Sequence, residues 1–327
     1  MSQNNYFDNK DLFLGPKVTQ YGSHMVMTQV QKETKKKYWN IDTQFRDDYD
    51  PSMNYLMQYT FSLPQPINDV KSIYVTNFEL PITFYNISEA IGNNVFKIKH
   101  GTGSNPVINY HYIVIPDGQY DSTNIASKIN GQMAGEGLTS ISFSINANGK
   151  GVFTYTGTYI IDFAVKPNYP TPNPATFSTN TVINDFDKYA VKSNLGWLLG
   201  FRNITYSVVG TASSLISENL ADFNRTHYLY LVADEFSSNS PSSFISPFST
   251  SILNKNILAK ISLDPKLYPF GSLLPANYSN GHLQSDRRTY SGKTNLQRLK
   301  IQLVNEYGSP IDLNGSDFSF CIEIEYE

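Results

Sequence analysis

Phe318-Ser319-Phe320-Cys321-Ile322-Glu323-Ile324-Glu325-Tyr326 alternates apolar and polar side chains without a fault. A period of two is that of an extended strand with one face on a core and the other toward water. Phe318, Phe320, Ile322, Ile324 and Tyr326 face one way; Ser319, Cys321, Glu323 and Glu325 face the other. The same beat runs back through the chain. Tyr55, Met57, Tyr59, Phe61 and Leu63 are apolar around polar Gln58, Thr60 and Ser62. Pro64 and Pro66 are expected to stop that strand, because proline cannot donate to a ladder. Ile73, Val75, Phe78 and Leu80 predict the next, with a phase slip near Asn77 that reads as a bulge. Val95 to Lys99, Tyr110 to Ile115, Ser140 to Ile145, Tyr228 to Ala233, Ile257 to Leu263 and Leu299 to Val304 follow. Phe153 and Tyr155, then Ile161, Phe163 and Val165, predict a hairpin turning at Gly157.

Only two segments carry a helical pattern. Asp121 or Ser122 is placed to cap a short helix with Ile125, Ile129 and Met133 on one stripe. Leu195 to Phe201 predicts two apolar turns, weakened by Gly196 and Gly200. Many strands, few helices and no alternation of strand with long helix argue against a parallel α/β sheet and leave an all-β sandwich or barrel. Residues 1–37 read as an extended N-terminal arm that ends in the basic run Lys32-Glu33-Thr34-Lys35-Lys36-Lys37. Such a run is a solvated linker or a tether that orders on a partner. Residues 38–327 read as the folded domain, with long loops near 167–193, 237–256 and 271–295.

Charged residues make up only 16% of the 327 residues, where about 25% is usual. Asn, Ser, Thr and Tyr take up the difference. A polar but weakly ionic surface suits burial against neighbours, since interface cores lose Lys, Glu and Asp and gain aromatics; AT-rich coding produces the same bias. The net charge of −3 leaves no global footprint for nucleic acid. One cysteine, Cys321, gives no disulfide framework or cysteine-rich zinc site. No apolar run approaches the roughly 18 residues of a membrane span, and the opening residues lack the basic-then-apolar order of a secretory leader. These features predict a soluble protein made in a reducing compartment. The sequons at Asn86, Asn203, Asn224, Asn277 and Asn314 occur about as often as chance produces them.

Motifs for chemistry are scarce. His24, His100, His111, His227 and His282 show no i,i+4 pairing, and none lies near Cys321. Gly101-Thr-Gly103-Ser-Asn-Pro106 begins like a phosphate loop, but a proline replaces the last glycine and no helix follows, so it reads as a hairpin turn. Asp42, Asp47, Asp48 and Asp50 lack the turn glycine and distal glutamate of a calcium loop and read as a solvated turn. Arg287, Arg288, Lys293, Arg298 and Lys300 concentrate positive charge with few interleaved aromatics, a weak case for nucleic acid. Cys321 has no adjacent base and reads as a passive thiol. No catalytic, cofactor-binding or metal-ligating residue is therefore expected, and no cofactor.

Several segments in order carry a resemblance: Asn40-Ile-Asp-Thr-Gln-Phe-Arg46, Phe61-Ser-Leu-Pro-Gln-Pro-Ile67, Val70-Lys-Ser-Ile73, Phe78-Glu-Leu-Pro81, Ile115-Pro-Asp-Gly-Gln-Tyr120, Asn194-Leu-Gly-Trp-Leu-Leu-Gly-Phe-Arg202, Leu299-Lys-Ile-Gln-Leu303, Glu306-Tyr-Gly308 and Asp317-Phe-Ser-Phe320. Over residues 38–327 the chain resembles the jelly-roll capsid proteins, minor capsid or penton type, of nucleocytoplasmic large DNA viruses. The resemblance implies a single jelly roll, an antiparallel β-sandwich with long loop insertions and one or two short helices. It implies a non-enzymatic capsid subunit in the virion, made in the host cytoplasm. Its partners would be the major capsid protein, other capsid proteins and copies of itself, in a pentamer or trimer, near an inner membrane and without specific nucleic acid. Two rivals stand beside it: a receptor- or glycan-binding jelly-roll module on the virion surface, using the 167–193 or 237–251 loops, and a β-fold hydrolase with a dispersed site.

Overall fold

Two strands much longer than the rest organise the molecule. The structure, a computed structural model, describes residues 17–19, 22–24, 33–46, 58–101, 109–166, 178–179, 192–224, 226–236, 244 and 256–327. Its strands are β1 (Lys17–Thr19), β2 (Gly22–His24), β3 (Lys35–Asp42), β4 (Gln58–Pro81), β5 (Val95–Gly101), β6 (Asn109–Val114), β7 (Ile141–Ile145), β8 (Gly151–Asp162), β9 (Val165–Lys166), β10 (Ser178–Thr179), β11 (Thr205–Ile216), β12 (Tyr228–Asp234), β13 (Ile257–Ser262), β14 (Leu273–Asn277), β15 (Leu283–Ser285), β16 (Arg288–Val304) and β17 (Ser319–Tyr326). Among the described residues there are two α-helices, α1 (Ile125–Gly135) and α2 (Leu195–Leu198), and one 3-10 turn, Thr43–Phe45.

β4 and β16 each bend and serve different neighbours with their two halves. Asp69, at φ 53°, marks the bend of β4. The first half of β4 pairs with the end of β16 (Phe61 with Leu299), and the second with β17 (Phe78 with Phe320) and the start of β16 (Ile73 with Arg288). From the end of β16 the ladder passes to β12, then β13, then β15, which runs straight into the start of β16. The path of paired strands thus returns to β4, and the sheet closes on itself. Closure removes most free edges. Ser285 stands at the seam: its hydroxyl accepts the Val75 N–H at 3.0 Å and donates to the Leu258 carbonyl at 3.0 Å. β3 flanks β17, and β14 flanks β4. This is an all-β jelly roll, and every strand pairing among the described residues is antiparallel.

Inside the closed sheet lies a core in which the rings of Phe318 and Phe320 stack on Phe78 at 5.3 and 5.6 Å. Arg288, only 1% exposed, crosses this interior. Its guanidinium donates to the carbonyls of Ala233 and Ile257 at 3.0 and 3.1 Å and to the Glu235 carboxylate at 2.7 Å. Tyr290 donates its hydroxyl to the other oxygen of Glu235 at 2.7 Å. Burial, together with that carboxylate, pushes the Tyr290 hydroxyl far above its ordinary range, so it stays a donor.

Between β4 and β12 the chain builds a second sheet, in the order β11-β8-β5-β6 with β7 also on β8. It has its own core, including Phe96, Phe143, Phe153, Phe163 and Phe201. Helix α1 packs on β7 and β6 and buries Ile125, Ile129 and Met133, the stripe read from the sequence. Asp121 holds the turn ahead of it. The Thr123 hydroxyl and the N–H groups of Thr123 and Asn124 all donate to its carboxylate and hold it below the usual range. The two chain crossings into this lobe are pinned by Asn86. Its buried amide donates to the carbonyls of Tyr120 and Phe223 at 2.7 and 2.9 Å and accepts the Tyr120 N–H at 2.9 Å.

Several expectations need correction. β4 does not stop at Pro64 and Pro66 but runs through them. Its ladder lapses between the Ser62–Arg298 and Ile67–Leu296 pairs, so neither proline is asked for an N–H. Gly157 is no hairpin turn; β8 continues through it at φ 124°. The phase of Phe153, Tyr155, Tyr159 and Ile161 never breaks, which is the mark of one strand. The stretch 195–201 makes one helical turn rather than two. The segment 271–295 is not a loop: it holds the short strands β14 and β15 and the start of β16, and Pro275 and Asn277 disguise β14. β3 opens at Lys35, inside the expected arm. The phase slip near Asn77 is a bulge, since Asn77 pairs with Cys321 and Val75 with Ile322, leaving Thr76 as the extra residue. Most of the loops at 167–193 and 237–256, and Asp47 to Asp50, lie outside the described residues.

The glycines of the Leu-Gly-Trp-Leu-Leu-Gly-Phe-Arg segment serve close packing. A Cβ on Gly196 would stand 2.5 Å from the Phe163 ring, and one on Gly200, at φ 97°, would strike the Asn219 carbonyl. Asn194 donates its amide to the Phe163 carbonyl at 2.6 Å, and Arg202 lies over the Trp197 ring at 4.0 Å. Gly200→Ala is therefore expected to cost about 3 kcal/mol in urea unfolding, from backbone strain plus collision. Gly281→Ala, also at positive φ but in open space, is expected to cost about 1 kcal/mol. Equal losses would contradict the packing role.

Candidate assembly surface

The outward face of β3, β17 and β4 is polar, as the alternation of β17 dictates, yet Glu323 at its centre is 3% exposed. Four side chains from three other segments close over it. Tyr38 and Tyr74 donate hydroxyls at 2.9 and 3.1 Å, and Lys36 and Arg287 donate at 2.9 and 3.1 Å. Arg287 also lies over the Tyr74 ring at 4.5 Å. Burial alone would raise the Glu323 pKa, but these donors outweigh it and hold it at about 2. Beside it Glu325 accepts from Thr34, Arg287 and Ser72 at 2.7, 2.8 and 3.1 Å, while Lys71 pairs with Glu327 at 2.8 Å. Charge on this face is cancelled locally, which lowers the cost of covering it.

Uncovered apolar side chains gather elsewhere. Leu267, Phe270, Leu273 and Tyr278 are all exposed along the segment that leads into and out of β14, Tyr278 by 85%. The Phe270 ring stacks on Tyr85 at 5.7 Å, which fixes it at the surface. On the second lobe Val209, Ile216 and Leu220 are exposed on and just after β11. The exposed apolar side chains along the β14 segment are candidates for contact with another molecule.

Where the two lobes meet, Asn314 donates to the Thr83 carbonyl at 2.5 Å and Thr83 to the Leu313 carbonyl at 2.7 Å. Asp117 of the second lobe and Asp312 of the first line one small cavity there. Burial raises the pKa of both, and of Glu89 nearby, whose N–H bonds to Asp117.

The histidines are dispersed. His100 stacks on Tyr159 at 4.6 Å, His111 meets Glu136 at 3.3 Å, His227 meets Asp222 at 3.3 Å, and His282 contacts the Ser262 carbonyl at 2.9 Å. The side chain of His24 lies outside the described residues. Among the described residues no group of three or more His, Cys, Asp or Glu side chains converges to hold a metal. Gly101 ends β5, which pairs antiparallel with β6, as a hairpin requires. Asp42 accepts the Gln44 N–H at 3.0 Å as a turn cap. Of the C-terminal basic residues, Arg287 and Arg288 point to opposite faces of the sheet, one to the surface network and one to the core. Sequence reading missed both sites. The signal was present, since successive residues of an extended segment ordinarily point to opposite sides.

No protein-family model matches the sequence, and no curated protein is detectably similar to it. Among solved structures the chain is similar to the mavirus penton protein, with 12% identity, 90% of this chain and 100% of that chain covered, and a TM-score of 0.42. It is also similar to a chain of the Sputnik virophage structure determined by cryo-EM, with 11% identity, 89% and 98% covered, and a TM-score of 0.38.

The Glu323 network makes stability depend on pH with a definite sign. A carboxyl at about 2 in the folded chain against 4.5 ordinarily contributes stability that is complete above pH 4.5 and lost as the pH falls toward 2. Glu323→Gln is expected to remove roughly 2–3 kcal/mol at pH 7 and to flatten the decline of stability between pH 5 and 2. Chemical denaturation across that pH range reads it. An unchanged acid limb in the variant would show that the network contributes nothing.

Proposed function

We propose that this chain is a structural subunit of a viral capsid, of the minor or penton type, which works by packing rather than by catalysis. The observation that carries the reading is the pairing of a closed, stiff β-block with an uncovered apolar segment, Leu267 to Tyr278. A closed sheet resists shear and offers few edges for unwanted pairing, so specific contact falls to side chains such as Phe270 and Tyr278. Tyrosine and phenylalanine provide large, stiff contact area at small entropy cost. The ordered sequence motifs that resemble capsid jelly rolls support the same reading.

In this proposal the partners are copies of the chain in a pentamer or trimer, together with the major capsid protein and other shell proteins. Each specific contact would bury about 1,000 Å² or more. The residues ahead of β3 form an arm that fastens one unit to a neighbour or toward an inner membrane, and the folded part begins with β3 at Lys35. The protein would be made in the host cytoplasm and end in the virion.

Light scattering coupled to size exclusion, and mass spectrometry of purified virions, test this together. The full chain is expected to form a ring-sized oligomer and to be present in particles. Leu273→Asp with Tyr278→Asp, both on exposed side chains, is expected to weaken self-association by about tenfold or more with the thermal midpoint unchanged. A chain that is monomeric at every concentration and absent from particles would contradict the proposal.

A further inference from the structure

Beyond the end of β12 a cleft of about 450 Å³ opens on the surface, lined by Ser62, Glu235, Phe236, Asn295, Gln297 and Arg298. That volume lies within the usual range of small-molecule sites. Its floor exists because the β4–β16 ladder lapses between the Ser62–Arg298 and Ile67–Leu296 pairs. The lapse breaks the alternation of β16, so that Gln297 and Arg298 are both exposed although adjacent. Re-aiming of side chains is what strand irregularities do at binding sites.

Phe236 forms one wall. It holds φ 57°, a conformation that costs an aromatic residue, and it is kept there by its N–H bond to Asp234 at 2.8 Å. Its ring lies 4.3 Å beneath the Arg298 guanidinium. Stacking covers a face of the guanidinium and leaves its edges, the hydrogen-bonding fork, directed elsewhere. Among the described residues the Arg298 side chain makes no ion pair or hydrogen bond. The one acidic side chain of the lining, Glu235, turns inward to Arg288 and Tyr290, both at 2.7 Å, so its charge is already matched. Asn295 uses its carbonyl oxygen on the Asp69 N–H at 3.3 Å, which leaves its amide N–H groups to donate. Gln297 and Ser62 add an amide and a hydroxyl.

We propose that this cleft binds a carboxylate-bearing sugar. The Arg298 fork takes the carboxylate in two parallel bonds, and the amides of Asn295 and Gln297 with the Ser62 hydroxyl take the ring hydroxyls. Alternating donors and acceptors of this kind match a polyol. The polar lining disfavours an apolar ligand, and a lone arginine without lysines or a run of backbone N–H groups disfavours phosphate. The inference rests on the cleft alone and is independent of the assembly proposal.

Saturation-transfer NMR and competition titration on the full chain at about 150 mM salt test it, with glucuronic acid and N-acetylneuraminic acid as probes. Glucose, acetate and inorganic phosphate serve as controls. At least one acidic sugar is expected to bind about tenfold or more tightly than every control. Arg298→Gln is expected to weaken that binding about tenfold or more with the thermal midpoint unchanged, and Arg298→Lys, which keeps the charge but lacks the fork, to recover only part of it. Gln297→Ala is expected to weaken it about threefold. Failure of both acidic sugars to bind, equal binding of acetate or phosphate, or undiminished binding by Arg298→Gln would overturn the assignment.

Discussion

The ion pair between Arg288 and Glu235, both with side chains wholly out of solvent, is the interaction on which the closed sheet depends. Arg288 belongs to the start of β16, paired with β4, while its guanidinium ends on carbonyls at Ala233 and Ile257 of β12 and β13. The β12–β13 ladder shifts register between Leu231 and Val232, next to those carbonyls. A hydrophobic side chain in place of Arg288 would fill the space but take the guanidinium donor away from both carbonyls and from the buried Glu235 carboxylate. Buried polar groups are costly when unmet, so arginine, glutamate and tyrosine form a unit that holds together only when complete. Such pairs need not stabilise relative to an apolar design; what this one fixes is which strands meet at the seam.

A closed sheet built on two bent strands explains the division of the molecule. β4 and β16 pair with each other and with β12, β14 and β17, and the excursion between β4 and β12 carries a second sheet with its own aromatic core. Asn86 ties the entry and exit of that excursion, and Thr83 and Asn314 tie its root to the loop before β17. On the β3–β17–β4 face acids and bases neutralise one another, while exposed apolar groups stand at Leu267 to Tyr278 and a cationic one at Arg298.

Much of the fold was legible from period two alone. β17, β7 and the helix stripe of α1 stand where the alternation puts them, and the slip at Asn77 marks a true bulge. What misled was local chemistry without its partner. Pro64 and Pro66 interrupt a strand only if the ladder needs their N–H groups, and pairing lapses there. The asparagine content was read as weakly ionic surface, yet part of it is internal: Asn130 accepts from and donates to the backbone of Phe143, and Asn305 accepts the N–H groups of Tyr307 and Ser309. Neither the Arg288 pair nor the Glu323 network was readable as a site, because each joins residues brought together only by the closed sheet.

A double-mutant cycle on Arg288 and Glu235 tests closure of the sheet through this pair most directly, with unfolding free energies measured for Arg288→Met, Glu235→Gln and the double variant. The account predicts that each single change costs about 3–5 kcal/mol, since it strands a buried partner, and that the double costs well under the sum. Single losses below about 1 kcal/mol, or strict additivity, would contradict it.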